Sequence, residues 1–255
     1  MRFLEVIGRF LLALFEGFGR FFELLLKTAA GAVRPPYDLK AFWDQVIRVG
    51  VDSVPVVFLT TLFTGAVMAL QTFNGFSRFH AEGYVGSVVA LSMLRELSPV
   101  LSGLMVTGRA GSAMAAELGT MRVTEQIDAL VALATDPVQY LFVPRVLAAI
   151  LVMPALVILG NAMGIGGGYL VAVKVLGANP VIYVDNTFQF LKMSDLWSGL
   201  VKAACFGGLL SLIGCQKGFD TKGGAEGVGQ STTSAVVVGS LAILLSDFFL
   251  TKILF

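Results

Sequence analysis

The chain alternates between long apolar runs and short segments in which charged residues cluster. Crossing a bilayer takes roughly 20 residues of helix, and five of the runs reach that length. Their predicted bounds are residues 53–79, 83–118, 146–173, 196–216 and 228–250. The pattern therefore predicts a bundle of five membrane-spanning helices.

The first 34 residues show the period of an amphipathic helix. Their charged positions share one narrow side of the helix, and Phe and Leu residues occupy the rest. These charged positions are Arg2, Glu5, Arg9, Glu16, Arg20, Glu23 and Lys27. Such a helix is too charged to span, but it can lie in the interface with its apolar side in lipid. Residues 1–34 are predicted to do so, and packing on a soluble core is the alternative; Arg34-Pro35-Pro36 then ends the helix.

The segment between the second and third spans, residues 108–145, groups charged residues between two apolar runs. Gly119 is predicted to end the preceding helix, and Thr120 is predicted to cap a new one. Over residues 120–135 the apolar positions share one face and the acidic positions lie opposite. This pattern predicts a short amphipathic helix parallel to the membrane.

The second span is interrupted by Arg95-Glu96. Charges inside a membrane are costly and usually face a cavity or a partner. Either residues 83–118 form one span with an ion pair at depth, or the pair lies at the outer interface and the span starts at Leu97. In the fourth span, Lys202 is predicted to extend to the nearer membrane surface.

Two further patterns bear on helix packing. Phe73, Phe76 and Phe79 share a face near the end of the first span, and their spacing alone indicates only packing or lipid contact. In the third span, small residues recur at every fourth position, which lets helices approach closely. That repeat is Gly160, Gly164 and Gly168. Residues 176–195, between the third and fourth spans, are predicted to be a polar connection.

Composition agrees with a membrane protein. Hydrophobic residues make up 56% of the chain and charged residues 14%, and the mean hydropathy is +0.83. The net charge of +1 gives no reason to expect a nucleic-acid partner. Basic residues are concentrated in the N-terminal segment, in residues 108–145 and between the last two spans. By the positive-inside rule these parts are cytoplasmic and the C-terminus lies outside.

Candidate chemistry is sparse. Cys205 and Cys215 are predicted to be free buried thiols that pack as small hydrophobes, and His80 is the only histidine. Residues 224–231 resemble a phosphate-binding loop, but Gln230 stands where the loop requires a lysine, so a flexible connection is predicted. No catalytic set of residues is present. The sequence predicts no enzyme, no metal site and no cofactor bound by this chain.

The charged segment and the span before it resemble the MlaE (YrbE) family of permeases, the membrane subunits of bacterial lipid ABC transporters. The matching residues are ALSMLRELSPVLSGLMVTGRAGSAMAAELGTMRVTEQIDAL from Ala90 to Leu130, Asp136-Pro137, Pro144-Arg145, and the closing SDFFLTKILF from Ser246 to Phe255. The resemblance implies an all-α integral membrane protein with an N-terminal interfacial helix, five transmembrane helices and a cytoplasmic coupling helix at residues 120–135.

The resemblance also implies partners and a location. It implies a homodimer in the bacterial inner membrane, two copies of a cytoplasmic ABC ATPase that bind ATP and magnesium, and a periplasmic MCE-domain protein. A small STAS-domain protein often accompanies the ATPase. The implied substrate is a phospholipid or a related lipid moved between the inner and outer membranes.

Two sets of residues carry these implied roles. The lipid-binding positions are Phe73, Phe76, Phe79, Arg95 and Glu96. The ATPase-coupling positions are Glu117, Gly119, Met121, Arg122, Glu125 and Asp128. The expected mechanism is that closure of the ATPase dimer moves the helix after Gly119 as a rigid unit, so that the first two spans narrow the lipid cavity.

Two other functions remain open from the residues. A secondary transporter would use Arg95, Glu96 or Lys202 as a proton relay and would run on a pH gradient without an ATPase. A membrane scaffold that transports nothing would tolerate charge reversal at Glu125 and Asp128.

Overall fold

The computed structural model describes residues 2–35 and 38–254, without the side chains of residues 2–14 and of Phe18. Every regular element in these two stretches is a helix. The prediction of an all-α protein is therefore confirmed.

The described part of the chain contains eleven α-helices, several of which are joined end to end by short irregular helical segments. The α-helices are α1 Arg2–Val33, α2 Leu39–Val49, α3 Val54–Phe76, α4 Val85–Ser92, α5 Ser98–Val106, α6 Ser112–Val123, α7 Gln126–Ala132, α8 Val143–Tyr169, α9 Pro180–Phe190, α10 Met193–Phe219 and α11 Gly224–Leu254. The 3-10 segments are Val51–Ser53, Ser77–Phe79 and Glu82–Tyr84. The π-helical segments are Met93–Leu97, Thr107–Gly111, Val138–Phe142 and Leu170–Val175.

Five continuous helical stretches of the described chain are long and apolar enough to cross a membrane, as predicted. We number them spans 1 to 5: Leu39–Phe79, Glu82–Val123, Val138–Val175, Met193–Phe219 and Gly224–Leu254. Each is longer than the apolar run that predicted it, because the helix continues through polar residues at its ends. Since the apolar core of a bilayer takes roughly 20 residues, these extra turns are long enough to reach the interface.

Helix also forms in two places where the sequence predicted connections. α9 lies inside residues 176–195, where Asn179 caps it by accepting a hydrogen bond from the Val181 amide at 2.9 Å. The proline that follows Asn179 suits a first helical turn. Residues 224–231 form the first turns of α11 rather than a flexible connection. Residues 176–195 still connect spans 3 and 4, although they contain a short helix. The prediction of a flexible connection at residues 224–231 was wrong, since these residues continue into the long helix of span 5.

Span 3 lies at the centre of the bundle and contacts its neighbours through glycines. A Cβ atom added at Gly65 of α3 would lie 1.9 Å from the carbonyl oxygen of Gly164, and one added at Gly207 of α10 would lie 2.5 Å from that of Ala149. Gly160 and Gly168 face side chains of spans 1 and 2 in the same way. The close packing predicted for the glycine repeat is confirmed.

Span 2 departs from regular α-helix at two points. The π-helical segments Met93–Leu97 and Thr107–Gly111 flank α5. Such turns are rare and frequently occur at functional sites. The first contains Arg95 and Glu96, and the second contains Arg109, so each irregular turn coincides with charged residues.

α1 packs against one end of the bundle. Leu24 and Thr28 are buried, and Arg20 forms an ion pair with Asp220 at 3.0 Å. Large apolar side chains on its other sides are exposed: Phe15, Phe22, Leu25 and Leu26. The predicted charges at Arg2, Glu5 and Arg9 lie outside the described side chains. An interfacial position for this helix stays a prediction.

Candidate functional site

The helix of span 2 ends at Thr124 and Glu125, which form the α6–α7 turn. Gly119 does not end the helix, contrary to the prediction, because it lies inside α6 where an added Cβ atom would be 2.9 Å from Thr221 Oγ1. Its missing side chain lets α6 approach α11. Thr120 is also not a cap, since its hydroxyl donates to a carbonyl of the preceding turn at 2.8 Å. The predicted coupling helix therefore starts at the α6–α7 turn.

The α6–α7 turn projects from the bundle. Glu125 has φ +60°, in the left-handed region that residues other than glycine rarely adopt. Arg122 Nη1 donates to Asp128 Oδ1 across the turn at 2.6 Å. Val131 and Leu133 are 59% and 75% exposed. The turn thus presents acidic side chains beside exposed apolar surface.

Glu117 joins three helices. Its Oε1 accepts a hydrogen bond from Arg48 of α2, and its Oε2 accepts one from Arg145 Nη2 of α8 at 2.7 Å. The Arg145 side chain is only 8% exposed, and its Nη1 also donates to the Leu141 carbonyl at 2.7 Å. Met121, one turn after Glu117, is half-buried against the core. The Glu117 carboxylate is therefore engaged inside the chain and is not a free surface charge.

A groove of about 680 Å³ with a mixed charged and apolar lining lies beside this carboxylate, between α2 and α6. Arg109 borders it and donates through Nε to Ser53 Oγ at 3.0 Å and through Nη2 to the Arg48 carbonyl. Its Nη1 lies 3.7 Å from the Asp52 carboxylate. A second groove of about 380 Å³ is also lined by Arg48 and Glu117. This end of the bundle is held together by charged contacts with open space around them.

Asp220 belongs to the same end of the molecule, just beyond α10. Burial raises the pKa of this carboxyl group, and the nearby Arg20 guanidinium partly opposes the rise. Arg122 lies with its guanidinium carbon 6.0 Å from the centre of the Phe219 ring. Because Arg122 also binds Asp128, its charge is shared between two contacts inside the chain.

Arg95 and Glu96 both lie in a π-helical segment inside the continuous helix of span 2, which begins at Glu82. Both positions for the pair, at depth in the membrane or at the outer interface, stay predictions. Arg95 binds Asp195, in the first turn of span 4, with an Nη2 to Oδ1 distance of 2.7 Å. The Asp195 side chain is only 1% exposed. This ion pair therefore links the π-helical turn of span 2 to the beginning of span 4.

Lys202 does not extend to the surface, contrary to the prediction, because its side chain is 0% exposed. Its ammonium group lies 2.6 Å from Glu96 Oε2, 3.0 Å from Asp247 Oδ1 and 2.7 Å from Thr251 Oγ1. It also donates to the Arg95 carbonyl at 3.1 Å. A buried charge is tolerated when it is paired and hydrogen-bonded in this way. We call Lys202, Glu96, Asp247 and Thr251 the buried charge cluster; it links spans 2, 4 and 5.

The three predicted phenylalanines do not share one environment. Phe73 and Phe76 are partly buried and pack against a small core that includes Tyr183, whereas Phe79 is 81% exposed. Phe73 also lines a pocket of about 350 Å³ together with Glu82, Gly83 and residues just before and in the first turn of α9. The rings therefore lie in a different group from Arg95 and Glu96, which contact spans 4 and 5.

Sequence reasoning did not identify several partners of these charges. Arg48 and Arg145 were missed because they bind Glu117 across large sequence separations. Asp247 could have been found, since it is an acidic residue within the helix of span 5 and Lys202 is a basic one in span 4. Two opposite charges in membrane spans predict a pair.

The remaining candidates are two cysteines and one histidine. Cys205 and Cys215 are both free, but only Cys215 is buried, so the prediction that both are buried was wrong for Cys205. His80 follows the 3-10 segment after span 1 with φ +54°. Within residues 2–35 and 38–254 no group of His, Cys, Asp and Glu residues could hold a metal ion.

Five spans linked by internal ion pairs, with an exposed polar turn at one end, define a multi-pass helical membrane protein. Comparison with protein families is more specific: the family described as "Permease MlaE" matches residues 42–253 of this chain. The chain belongs to the MlaE permease family, as the sequence resemblance indicated.

Similar proteins cover most or all of the chain. A "Probable ABC transporter permease protein" of Rickettsia bellii is 49% identical over 98% of this chain and 96% of its own length. The "Intermembrane phospholipid transport system permease protein MlaE" of Haemophilus influenzae is 36% identical over 100% of this chain and 98% of its own length. "Protein TRIGALACTOSYLDIACYLGLYCEROL 1, chloroplastic" of Arabidopsis thaliana is 41% identical over 83% of this chain and 61% of its own length.

Proposed function

We propose that this chain is the membrane-spanning permease subunit of an ABC transporter that moves phospholipids between the inner and outer membranes. The observation that carries the proposal is the similarity over the full chain to the Haemophilus protein, whose name states phospholipid transport. The five spans and the exposed α6–α7 turn fit a subunit that contacts lipid on its sides and a soluble partner at one end.

A separate cytoplasmic ABC ATPase would bind at the α6–α7 turn and supply the energy. This chain is then not an enzyme, and ATP with its magnesium belongs to the partner. The residues proposed to couple the ATPase to the spans are Glu117, Gly119, Met121, Arg122, Glu125 and Asp128. The exposure of Val131 and Leu133 at the end of α7 supports this assignment, because exposed apolar side chains can be buried against a partner.

Lipid would enter near the outer ends of spans 1 and 2. The residues proposed to contact it are Phe73, Phe76, Phe79, Arg95 and Glu96. The exposed Phe79 ring can contact acyl chains, and the Arg95 guanidinium can bind a phosphate by paired hydrogen bonds when Asp195 releases part of it.

The complete transporter would contain further copies and partners. We propose a homodimer of this chain with two ATPase subunits and a periplasmic MCE-domain protein, and also a STAS-domain protein bound to the ATPase. The chain would lie in the bacterial inner membrane with its N-terminus in the cytoplasm and its C-terminus in the periplasm. The basic residues near α1 and the α6–α7 turn support this orientation.

Purification and reconstitution test the proposal. An affinity-tagged chain extracted in mild detergent should retain an ABC ATPase, and the complex in liposomes should transfer labelled phospholipid only when ATP is supplied. Replacing Glu125 and Asp128 by Lys should release the ATPase, because both acidic side chains lie at the α6–α7 turn. Absence of the ATPase from the wild-type preparation would contradict the proposal. Full ATP-dependent transfer by the charge-reversed variant would contradict the coupling role of Glu125 and Asp128, and a wild-type complex that transfers no phospholipid would favour a scaffold.

The buried charge cluster favours one other function, an ion-coupled secondary transporter. Lys202 with two nearby carboxylates, Glu96 and Asp247, is the kind of intramembrane group that occurs in proton relays. After purification without an ATPase, such a transporter would still move its substrate under a pH gradient. Transport that needs ATP and ignores the pH gradient would exclude it.

A further inference from the structure

Glu117 carries a proposal that deepens the proposed function and rests on it. We propose that its carboxylate is the joint through which movement of the α6–α7 turn reaches spans 1 and 3. The basis is that each oxygen of one carboxylate binds an arginine from a different helix, Arg48 of α2 on one side and Arg145 of α8 on the other.

The first step is that Glu117 moves with the turn. α6 is continuous from Ser112 to Val123, with no break at Gly119. At a rise of 1.5 Å per residue, Glu117 lies about 9 Å along the helix axis from Val123. A displacement of the turn therefore reaches Glu117 through a rigid helix.

The second step is that both arginines lie near the beginning of a span. Arg48 lies in the last turn of α2, and only the 3-10 segment Val51–Ser53 separates α2 from α3 of span 1. Arg145 lies in the first turn of α8 in span 3 and also donates to the Leu141 carbonyl of the preceding π-helical segment. A pull on either guanidinium thus acts on the end of a span.

The third step is that the two ion pairs of Glu117 differ in how readily they break. The Arg48 side chain is 59% exposed and lines two open grooves, so water can replace its partner at little cost. The Arg145 side chain is 8% exposed, and a buried charge does not give up its partner readily. α6 therefore moves together with span 3, while its contact with α2 and span 1 opens and closes.

The matched variants act on Arg48, because its removal leaves the buried pair of Glu117 and Arg145 intact. Arg48→Gln removes the exposed ion pair with Glu117. Lys40→Gln makes the same change of charge at another exposed position of α2 and is the control. Arg48→Lys keeps the charge and is the conservative rescue. Each variant is measured in the complete ATPase complex in liposomes, by phospholipid transferred per ATP hydrolysed.

If Glu117 transmits movement of the α6–α7 turn, loss of one of its ion pairs should partly uncouple ATP hydrolysis from phospholipid transfer. In Arg48→Gln the lipid transferred per ATP should fall about threefold while ATP hydrolysis continues. Lys40→Gln should keep the wild-type ratio, and Arg48→Lys should restore most of it. Glu117→Gln, which weakens both ion pairs, should lower the phospholipid transferred per ATP about tenfold. A role in folding alone would reduce the amount of complex without changing this ratio.

The outcomes separate this joint from the proposed function. Suppose that the wild-type complex couples ATP hydrolysis to transfer, but Arg48→Gln and Lys40→Gln transfer the same amount of phospholipid per ATP. This result would overturn the proposal for Glu117 and leave the proposed function standing. A wild-type complex that hydrolyses ATP without moving phospholipid would overturn the proposed function, and the joint with it.

Discussion

The ammonium group of Lys202 is surrounded by oxygen atoms instead of water. Glu96, Asp247 and Thr251 lie within 3.0 Å of it, and the side chain is 0% exposed. An ammonium group without such partners would be costly to bury. The contacts of this residue thus fix the relative positions of spans 2, 4 and 5.

Replacing Lys202 by Met should destabilise the protein strongly. The change leaves Glu96 and Asp247 close together without their cation. Their side chains are 37% and 20% exposed, so the loss should be smaller than the roughly 3–5 kcal/mol typical of a fully buried ion pair. The melting temperature of the purified protein in detergent should fall well below that of wild type. Lys252→Met, at an exposed position near the end of the same bundle, should melt like wild type; equal melting of both variants would show that the buried charge cluster contributes nothing to stability.

Glu125 gives a second prediction at this scale, because its backbone is strained. A residue other than glycine in the left-handed region costs roughly 1 kcal/mol, and Glu125 has φ +60°. Glu125→Gly should therefore raise stability by about 1 kcal/mol in a chemical unfolding measurement. Ala129→Gly, at an exposed position inside α7, should lower stability by about the same amount. If both variants lose stability, the turn does not have the described backbone conformation.

Between helices, close contact of glycine backbones is the main feature of span packing. Gly65→Ala should disrupt the contact of spans 1 and 3, since the new Cβ atom would meet the Gly164 carbonyl at 1.9 Å. Overpacking of this kind costs about 1–3 kcal/mol. Gly75→Ala, in the same helix but with nothing within 4 Å of the added atom, should leave stability unchanged or slightly higher. Thermal unfolding in detergent compares them, and equal loss in both would point to helix flexibility rather than close packing.

The elements themselves were largely predictable from the sequence. Long apolar runs indicated the number of spans, because only a helix satisfies its own backbone hydrogen bonds in lipid. The errors fall where a local rule competed with packing. Gly119 matched a helix end in sequence, yet in the fold it permits the approach of Thr221. α9 was missed although Asn179 followed by proline is a helix-start signal.

The candidate site was predictable only in part. Glu117 and Arg95 could be chosen as important charges, but their partners Arg145 and Asp195 come from other spans. Hydrophobic periodicity contains no information about which distant charge meets which. The pairing depends on the relative height and rotation of the spans, which are set by contacts such as that of Gly65 with Gly164.

At the scale of the whole molecule, the two ends of the bundle differ in charge. α1, the α6–α7 turn and Asp220 lie at one end, tied by contacts such as Arg20 with Asp220. α9 lies at the other end, between spans 3 and 4. Basic residues are more numerous at the first end, and Arg78, Lys174 and Lys192 are the basic residues of the connections at the other. Because basic segments stay on the cytoplasmic side, the α6–α7 turn should face the cytoplasm.

Labelling with a membrane-impermeant maleimide measures this orientation. Cys205 and Cys215 are first replaced by Ala, and one new cysteine is introduced at Asp128 or at Gln189, both of which are exposed. Gln189→Cys should react in intact spheroplasts, whereas Asp128→Cys should react only after lysis. The reverse pattern would place the α6–α7 turn outside the cell, where no ATPase could reach it. The orientation therefore decides whether this turn can serve as the coupling site at all.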